Sequence, residues 1–164
     1  MTYASTTTLN RIRAAKPCGE GWEKLLAHLG KTKADDEPLD LLTILDSNGF
    51  DDALWVLSYA MPDDRLARHF QAWCAEQVLH LFEAERPNDT RVRDQIAMLR
   101  NDAATDEDRV DVRAAAWAAV GDTARAAAGD AAWAAAWAAA GDAARDAQER
   151  KFTTLVMAAH RKQK

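Results

Sequence analysis

Trp22, Leu25, Leu26 and Leu29 recur at the spacing that lines one face of an α-helix, and Gly30 directly after them supplies a stop. The polar stretch "KTKADDEP" then reads as a connector ending at Pro38. In "LDLLTILDSNGFDDALWVLSYAMPDD" two short apolar segments flank Asp46-Ser47-Asn48-Gly49, a turn signal, which predicts a helical hairpin. Pro62 punctuates, Asp63 or Asp64 can cap, and the run from Arg65 to about Glu85 predicts a long amphipathic helix. Residues placed at 100° intervals gather Phe70, Cys74, Val78 and Leu81 on one side, with His69, Trp73, Glu76 and His80 on the other. Beyond Pro87, Val92, Ile96 and Leu99 keep helical spacing. Thr105 to Asp108, "TDED", has the form of a capping box with Asp in the Glu position, which starts a helix near Asp106. Sustained alternation of period two is missing, so the pattern gives strands no foothold.

From Ala114 onward the chain divides into fours: AAAW, AAVG, DTAR, AAAG, DAAW, AAAW, AAAG, DAAR, DAQE. Alanine has the best helix propensity, so this segment is helix by intrinsic preference and not linker. A repeat of four rotates its special position by about 40° per repeat around a 3.6-residue helix. One helix from Arg109 to Glu149 would be about 60 Å long, longer than a domain of this size is wide. The Gly-Asp pairs at Gly121-Asp122, Gly129-Asp130 and Gly141-Asp142 are the candidate interruptions, the first above all. The expectation is an all-α, single-domain multi-helix bundle over residues 1–164. Within it, 9–104 form amphipathic hairpins and 105–160 closely packed Ala-rich tetrad-repeat helices.

Composition narrows the function classes. Apolar residues make up 48% and charged residues 29%, the balance of a folded domain and not of a disordered chain. A net charge of −5 argues against a surface built to neutralise phosphates, so nucleic acid is not an expected partner. Two cysteines, Cys18 and Cys74, allow neither a disulfide framework nor a paired-cysteine metal site. A cytoplasmic protein is expected: the start has no apolar core of a signal peptide, and the Ala-rich run is broken by charges too often to span a bilayer.

The candidate chemistry is sparse. His69, Trp73, Glu76 and His80 form the best stripe, although His69 and His80 stand three turns apart and are too distant to chelate one ion together. An acid/base role would need them in a cleft, and the plainer alternative is a face packed on a neighbouring helix. Cys74 reads as a small core residue. Cys18, in "KPCGEGW", sits in a turn, either reactive or tucked away. The acidic run Asp35, Asp36, Glu37 is either a contact for a basic partner or a solvated loop. No phosphate loop, zinc-protease, nucleophile-elbow or EF-hand motif occurs, and neither metal nor cofactor is expected.

The segment "WCAEQVLHLFEAERPNDTRVRDQIAML", residues 73 to 99, with the Ala-rich helices after it, resembles the fifth-numbered family of immunity proteins of bacterial polymorphic-toxin systems. The similar elements are Cys74-Ala75-Glu76, Leu79-His80-Leu81-Phe82-Glu83, and the Pro87 turn with Asp89 and Arg91. The N-terminal part, "KPCGEGWEKLLAHLGKTKADDEPLDLLTILDSNGFDDALW", is similar to a module of Ala- and Trp-rich proteins of tailed phages and prophages. Together they imply a non-enzymatic phage or prophage accessory protein that binds and inhibits a toxin or host-defence protein.

An exposed tryptophan from the set Trp55, Trp73, Trp117, Trp133 and Trp137 would then serve the interface, since Trp is favoured at binding hot spots. The alternative is a protein that sequesters a signalling nucleotide, with bases stacked on Trp and phosphates met by Arg109, Arg113 or Arg125. Ala-rich faces with spaced Trp also make a homo-oligomer an expected possibility.

Overall fold

The computed structural model describes residues 4–112 and 131–161, the side chains of 131–142 excepted. Strand β1 (Thr6–Thr7) leads into α1 (Leu9–Ala14) and α2 (Gly19–Leu29). Strand β2 (Leu39–Asp40) leads into α3 (Leu41–Asn48), α4 (Phe50–Tyr59), α5 (Arg65–Glu85) and α6 (Arg91–Arg100). Helix α7 starts at 106 and is described to 112, and α8 spans Ala131–Arg161. The fold is thus a mostly helical, all-α arrangement with one two-stranded antiparallel pair, Thr6 opposite Asp40 and Thr7 opposite Leu39.

The chain groups into two compact units. The first is Met1–Ala67 with Glu149–Lys164, and the second is Arg68–Gln148. The first unit is therefore built from both ends of the chain, and the second is inserted into it in sequence.

In the first unit local chemistry fixes several helix ends. Thr8 caps α1 by accepting from the Arg11 N–H at 3.2 Å, and Asp40 caps α3 by accepting from the Leu42 N–H at 2.8 Å. Gly30 ends α2 at φ 64°, where a left-handed residue lets the Lys31 N–H reach back to the Leu26 carbonyl at 2.9 Å. Helix α3 packs on α2 and α4. Leu9, Ile12, Leu41, Ile44 and Leu66 are fully buried, and from the far end of the chain so are Phe152 and Val156. The Phe152 ring meets the Phe50 ring edge-on at 5.4 Å. His160 Nδ1 contacts the Asp40 carboxylate that also caps α3. Two members of the acidic run share one lysine: Lys31 Nζ donates to Asp35 at 2.6 Å and to Glu37 at 2.7 Å.

The second unit pairs the rest of α5 with α6. Ala72, Phe82, Val92 and Ile96 form its apolar seam, with Ala75, Leu79 and Leu99 partly buried against it. Ion pairs run alongside: Arg68 to Asp102 at 3.2 Å, His69 to Asp102 at 3.4 Å, Glu76 to Arg100 and Glu83 to Arg93.

Several sequence expectations hold in detail. Helix α5 has the expected limits, with Asp63 accepting from the Arg65 N–H at 3.0 Å. The capping box forms in both directions: the Asp108 N–H donates to Thr105 Oγ1 at 3.2 Å, and the Thr105 N–H donates to Asp108 Oδ2 at 2.8 Å. Others need correction. The buried side of α5 is not the single stripe Phe70, Cys74, Val78, Leu81, because Val78 and Leu81 are 50% and 48% exposed. Burial shifts face along this helix, from Leu66 and Phe70 to Ala72 and Phe82. Gly141-Asp142 lies inside α8 and does not break it. One helical glycine costs about 1 kcal/mol relative to alanine, little against a neighbourhood of alanines. The other two Gly-Asp pairs fall outside the described residues. The strand pair was not anticipated, since two residues per strand are too few to show alternation.

Candidate functional site

The chain begins α2 with Cys18, whose Sγ accepts from the Gly21 N–H at 3.3 Å, and the same first turn presents Trp22. Helix α4 begins after Gly49 at φ 92°, a conformation suited to glycine, and carries Asp51 and Asp52 in its first turn. Acidic residues there stabilise the positive end of a helix. One turn further, Trp55 lies on the same helix. These first turns face one another across a cleft of about 280 Å³.

Ile12, Leu25, Ile44 and Val56, each 3% exposed or less, floor the cleft. Trp22 and Trp55 are half-buried in its walls, and Cys18, Asn48, Asp51 and Asp52 bring its polar atoms. The geometry is braced. Asn48 Nδ2 donates to the Gly21 carbonyl at 2.8 Å and to Asp52 Oδ2 at 2.7 Å, tying α2, α3 and α4 at one point. Gly21 permits this closeness: a Cβ there would stand 2.7 Å from Asp52 Oδ2 and 3.1 Å from Cys18 Sγ, so those side chains would have to shift. Outside the cleft, Tyr59 is 69% exposed and its ring lies 5.5 Å from that of Trp55. The arrangement is a preformed apolar hollow with carboxylates in its lining and an aromatic surface alongside.

The residues expected from sequence fall elsewhere. In the second unit, His69 sits by Asp102, and Glu76 makes a two-pronged pair with Arg100. Trp73 is half-buried with its ring stacked on Phe70 at 6.4 Å, and His80 is exposed. Three members of the stripe are therefore engaged with neighbouring side chains, two of them with residues in and just after α6. Cys74 is half-buried, and burial pushes its thiol up to about 11.

Arg109 Nη1 donates to Asp106 at 2.7 Å, within the first turn of α7. Arg113, Arg125 and Trp117 lie outside the described residues, as do the side chains of Trp133 and Trp137, whose backbone belongs to α8. Carboxylates, and no arginine, line the cleft, which sets it against a phosphate-bearing ligand.

Sequence reasoning placed Trp55 among the candidates but used Trp22 only as a helix-face residue, and it did not join them to Asn48, Asp51 and Asp52. The available signal was that two tryptophans, each followed by short apolar helix, stand near the first turns of helices that open on Cys18 and Gly49. Only tertiary packing brings those turns together.

Among the described residues no group of three or more His, Cys, Asp or Glu side chains is arranged to hold a metal ion. None of the described helices is long and apolar enough to cross a membrane. Comparison of this chain with family models, with curated proteins and with solved structures finds no match.

Proposed function

We propose that this chain is a non-enzymatic binding protein that captures a protein partner through the Trp22–Trp55 cleft of its first unit. The observation that carries this reading is the cleft itself: half-buried tryptophans over a rigid apolar floor, flanked by the exposed ring of Tyr59. Tryptophan and tyrosine lose little side-chain entropy on binding and dominate the energetics of protein interfaces. A brace such as Asn48 lowers the ordering cost of association, because the cleft need not form on contact. The resemblance to toxin-system immunity proteins and to phage-encoded modules supports a partner that is a toxin or host-defence component, inhibited by being bound.

Cys18 makes the reading testable without altering the sequence. It lines the cleft and is exposed, so alkylating it with a maleimide plugs the site. Tagged full-length protein is passed through a bacterial lysate untreated, alkylated, or as the Trp55→Ala variant. The expected result is one stoichiometric protein retained by the untreated form and lost from the other two. Retention of the same protein by all three forms overturns the cleft as the interface. A nucleotide released on heating, with no protein retained, overturns the protein-binding reading in favour of sequestration.

A further inference from the structure

The cleft combines two features that select the same chemistry. Its floor and walls are apolar and aromatic, suited to a methylene stem, and its polar lining includes Asp51 and Asp52. Aromatic faces attract cations, and carboxylates accept from them. Asp52 is held by Asn48 at 2.7 Å, yet a carboxylate has room for several donors, so this hydrogen bond orients it without saturating it.

The hollow has room for one long side chain. A hollow of about 280 Å³ lies just below the usual range of small-molecule pockets, roughly 300 to 1,000 Å³. Tyr59, 69% exposed and stacked obliquely beside Trp55, continues the aromatic surface beyond the cleft, where the body of a macromolecular partner would rest. The net charge of −5 favours a basic partner at longer range. We propose that the cleft receives the arginine or lysine side chain of a basic patch on a protein partner, with its stem over the apolar floor, its head among Trp22, Trp55, Asp51 and Asp52, and Tyr59 against the neighbouring surface. This rests on the reading of the cleft as a protein-binding site and adds the chemistry of the anchor.

The test uses the full chain and blocked amino acids: the acetylated methylamides of arginine, lysine and citrulline, the last a neutral mimic of arginine. Each is added at tens of millimolar with ionic strength equalised by salt, and the rate of Cys18 alkylation by iodoacetamide is followed by mass spectrometry. Cys74 is the internal reference, since burial keeps it a neutral thiol.

The arginine and lysine probes are expected to slow Cys18 alkylation several-fold and saturably, citrulline not. In the Asp51→Asn, Asp52→Asn double variant the difference between arginine and citrulline disappears. Equal protection by citrulline overturns the cationic anchor while leaving an apolar binding cleft in place. So does protection by the captured partner when no probe protects. Partner capture indifferent to Cys18 alkylation instead overturns the underlying reading, so the two failures are distinguishable. The probe comparison on the unaltered chain needs no variant to fold.

Discussion

The first unit buries Leu9, Ile12, Leu41, Ile44, Leu66, Phe152 and Val156 almost completely, and the pairs Lys31–Asp35 and Asp40–His160 keep partial exposure outside that core. In the second unit the fully described apolar seam is short, with Ala72 at its centre and Phe82 at its edge, and it is bordered by Arg68, Asp102, Glu76, Arg100, Glu83 and Arg93. Burial of large side chains depends little on salt or pH, whereas exposed ion pairs weaken with both. The difference bears on function: the cleft stands on the part of the molecule whose rigidity comes from close packing, which is where a preformed recognition surface is best supported.

The sharpest way to break this comparison is to remove Phe152. It is 1% exposed and stacked edge-on with Phe50, and it reaches the first unit from the opposite end of the chain. Phe152→Ala should destabilise that unit by about 3–5 kcal/mol, the usual cost of deleting a large buried aromatic side chain. Denaturant unfolding followed at α1 to α4 by hydrogen exchange checks it. A loss well under 2 kcal/mol in the same experiment, on the scale of a mere surface change, would mean the C-terminal residues are not structural members of this core.

A smaller effect should follow in the second unit. Arg68 is 7% exposed, and it donates from Nη1 to the Leu99 carbonyl at 2.9 Å, near the end of α6, and from Nη2 to Asp102. Arg68→Met keeps the stem but removes the donor to the Leu99 carbonyl and one partner of Asp102, at about 1–3 kcal/mol. The loss should appear as faster exchange in α5 and α6 while α2 to α4 are unchanged. Because this pair is largely buried, added salt should not abolish the difference between variant and parent. An effect that vanishes in high salt would place Arg68 among the screened surface pairs instead.

How much of this was legible in the sequence follows the same division. Signals that act within a few residues are readable: the Gly30 stop, the Asp63 cap and the Thr105–Asp108 box all occur as expected, whereas the break expected over Asp46 to Gly49 falls at Gly49 alone, with Asp46, Ser47 and Asn48 completing α3. What failed needed knowledge of partners. A single hydrophobic stripe on α5 follows from the premise that one helix has one buried face, yet burial moves around this helix from Leu66 and Phe70 to Ala72 and Phe82. Nothing local indicated that Phe152 joins Phe50, a hundred residues away in sequence, or that His160 meets Asp40. The cleft is hidden for that reason: Trp55 stands among the interface candidates and Trp22 reads as a helix-face residue, and only the meeting of α2 and α4 through Asn48 joins them.

The smallest expected effect is also the most specific probe of the charged border. Asp89 precedes α6, and it accepts from the Arg91 side chain at both oxygens, Oδ1 from Nε at 2.9 Å and Oδ2 from Nη2 at 2.5 Å, and from the Arg91 N–H at 3.2 Å. The Arg91 hydrogen bonds hold its carboxyl at about 2, below the usual 3.8. A depressed folded value contributes stability that is fully present above the unfolded value and is lost as pH falls from about 4 through about 2. Asp89→Asn keeps a side-chain acceptor for the α6 amide but loses the charge. Exchange at the start of α6 should therefore be modestly faster in the variant at neutral pH, and the gap from the parent should close as pH approaches 2. A gap that persists unchanged through that window would assign the contribution of Asp89 to its hydrogen-bonding geometry and not to its charge, and would weaken the contrast between a packed first unit and an electrostatically bordered second one.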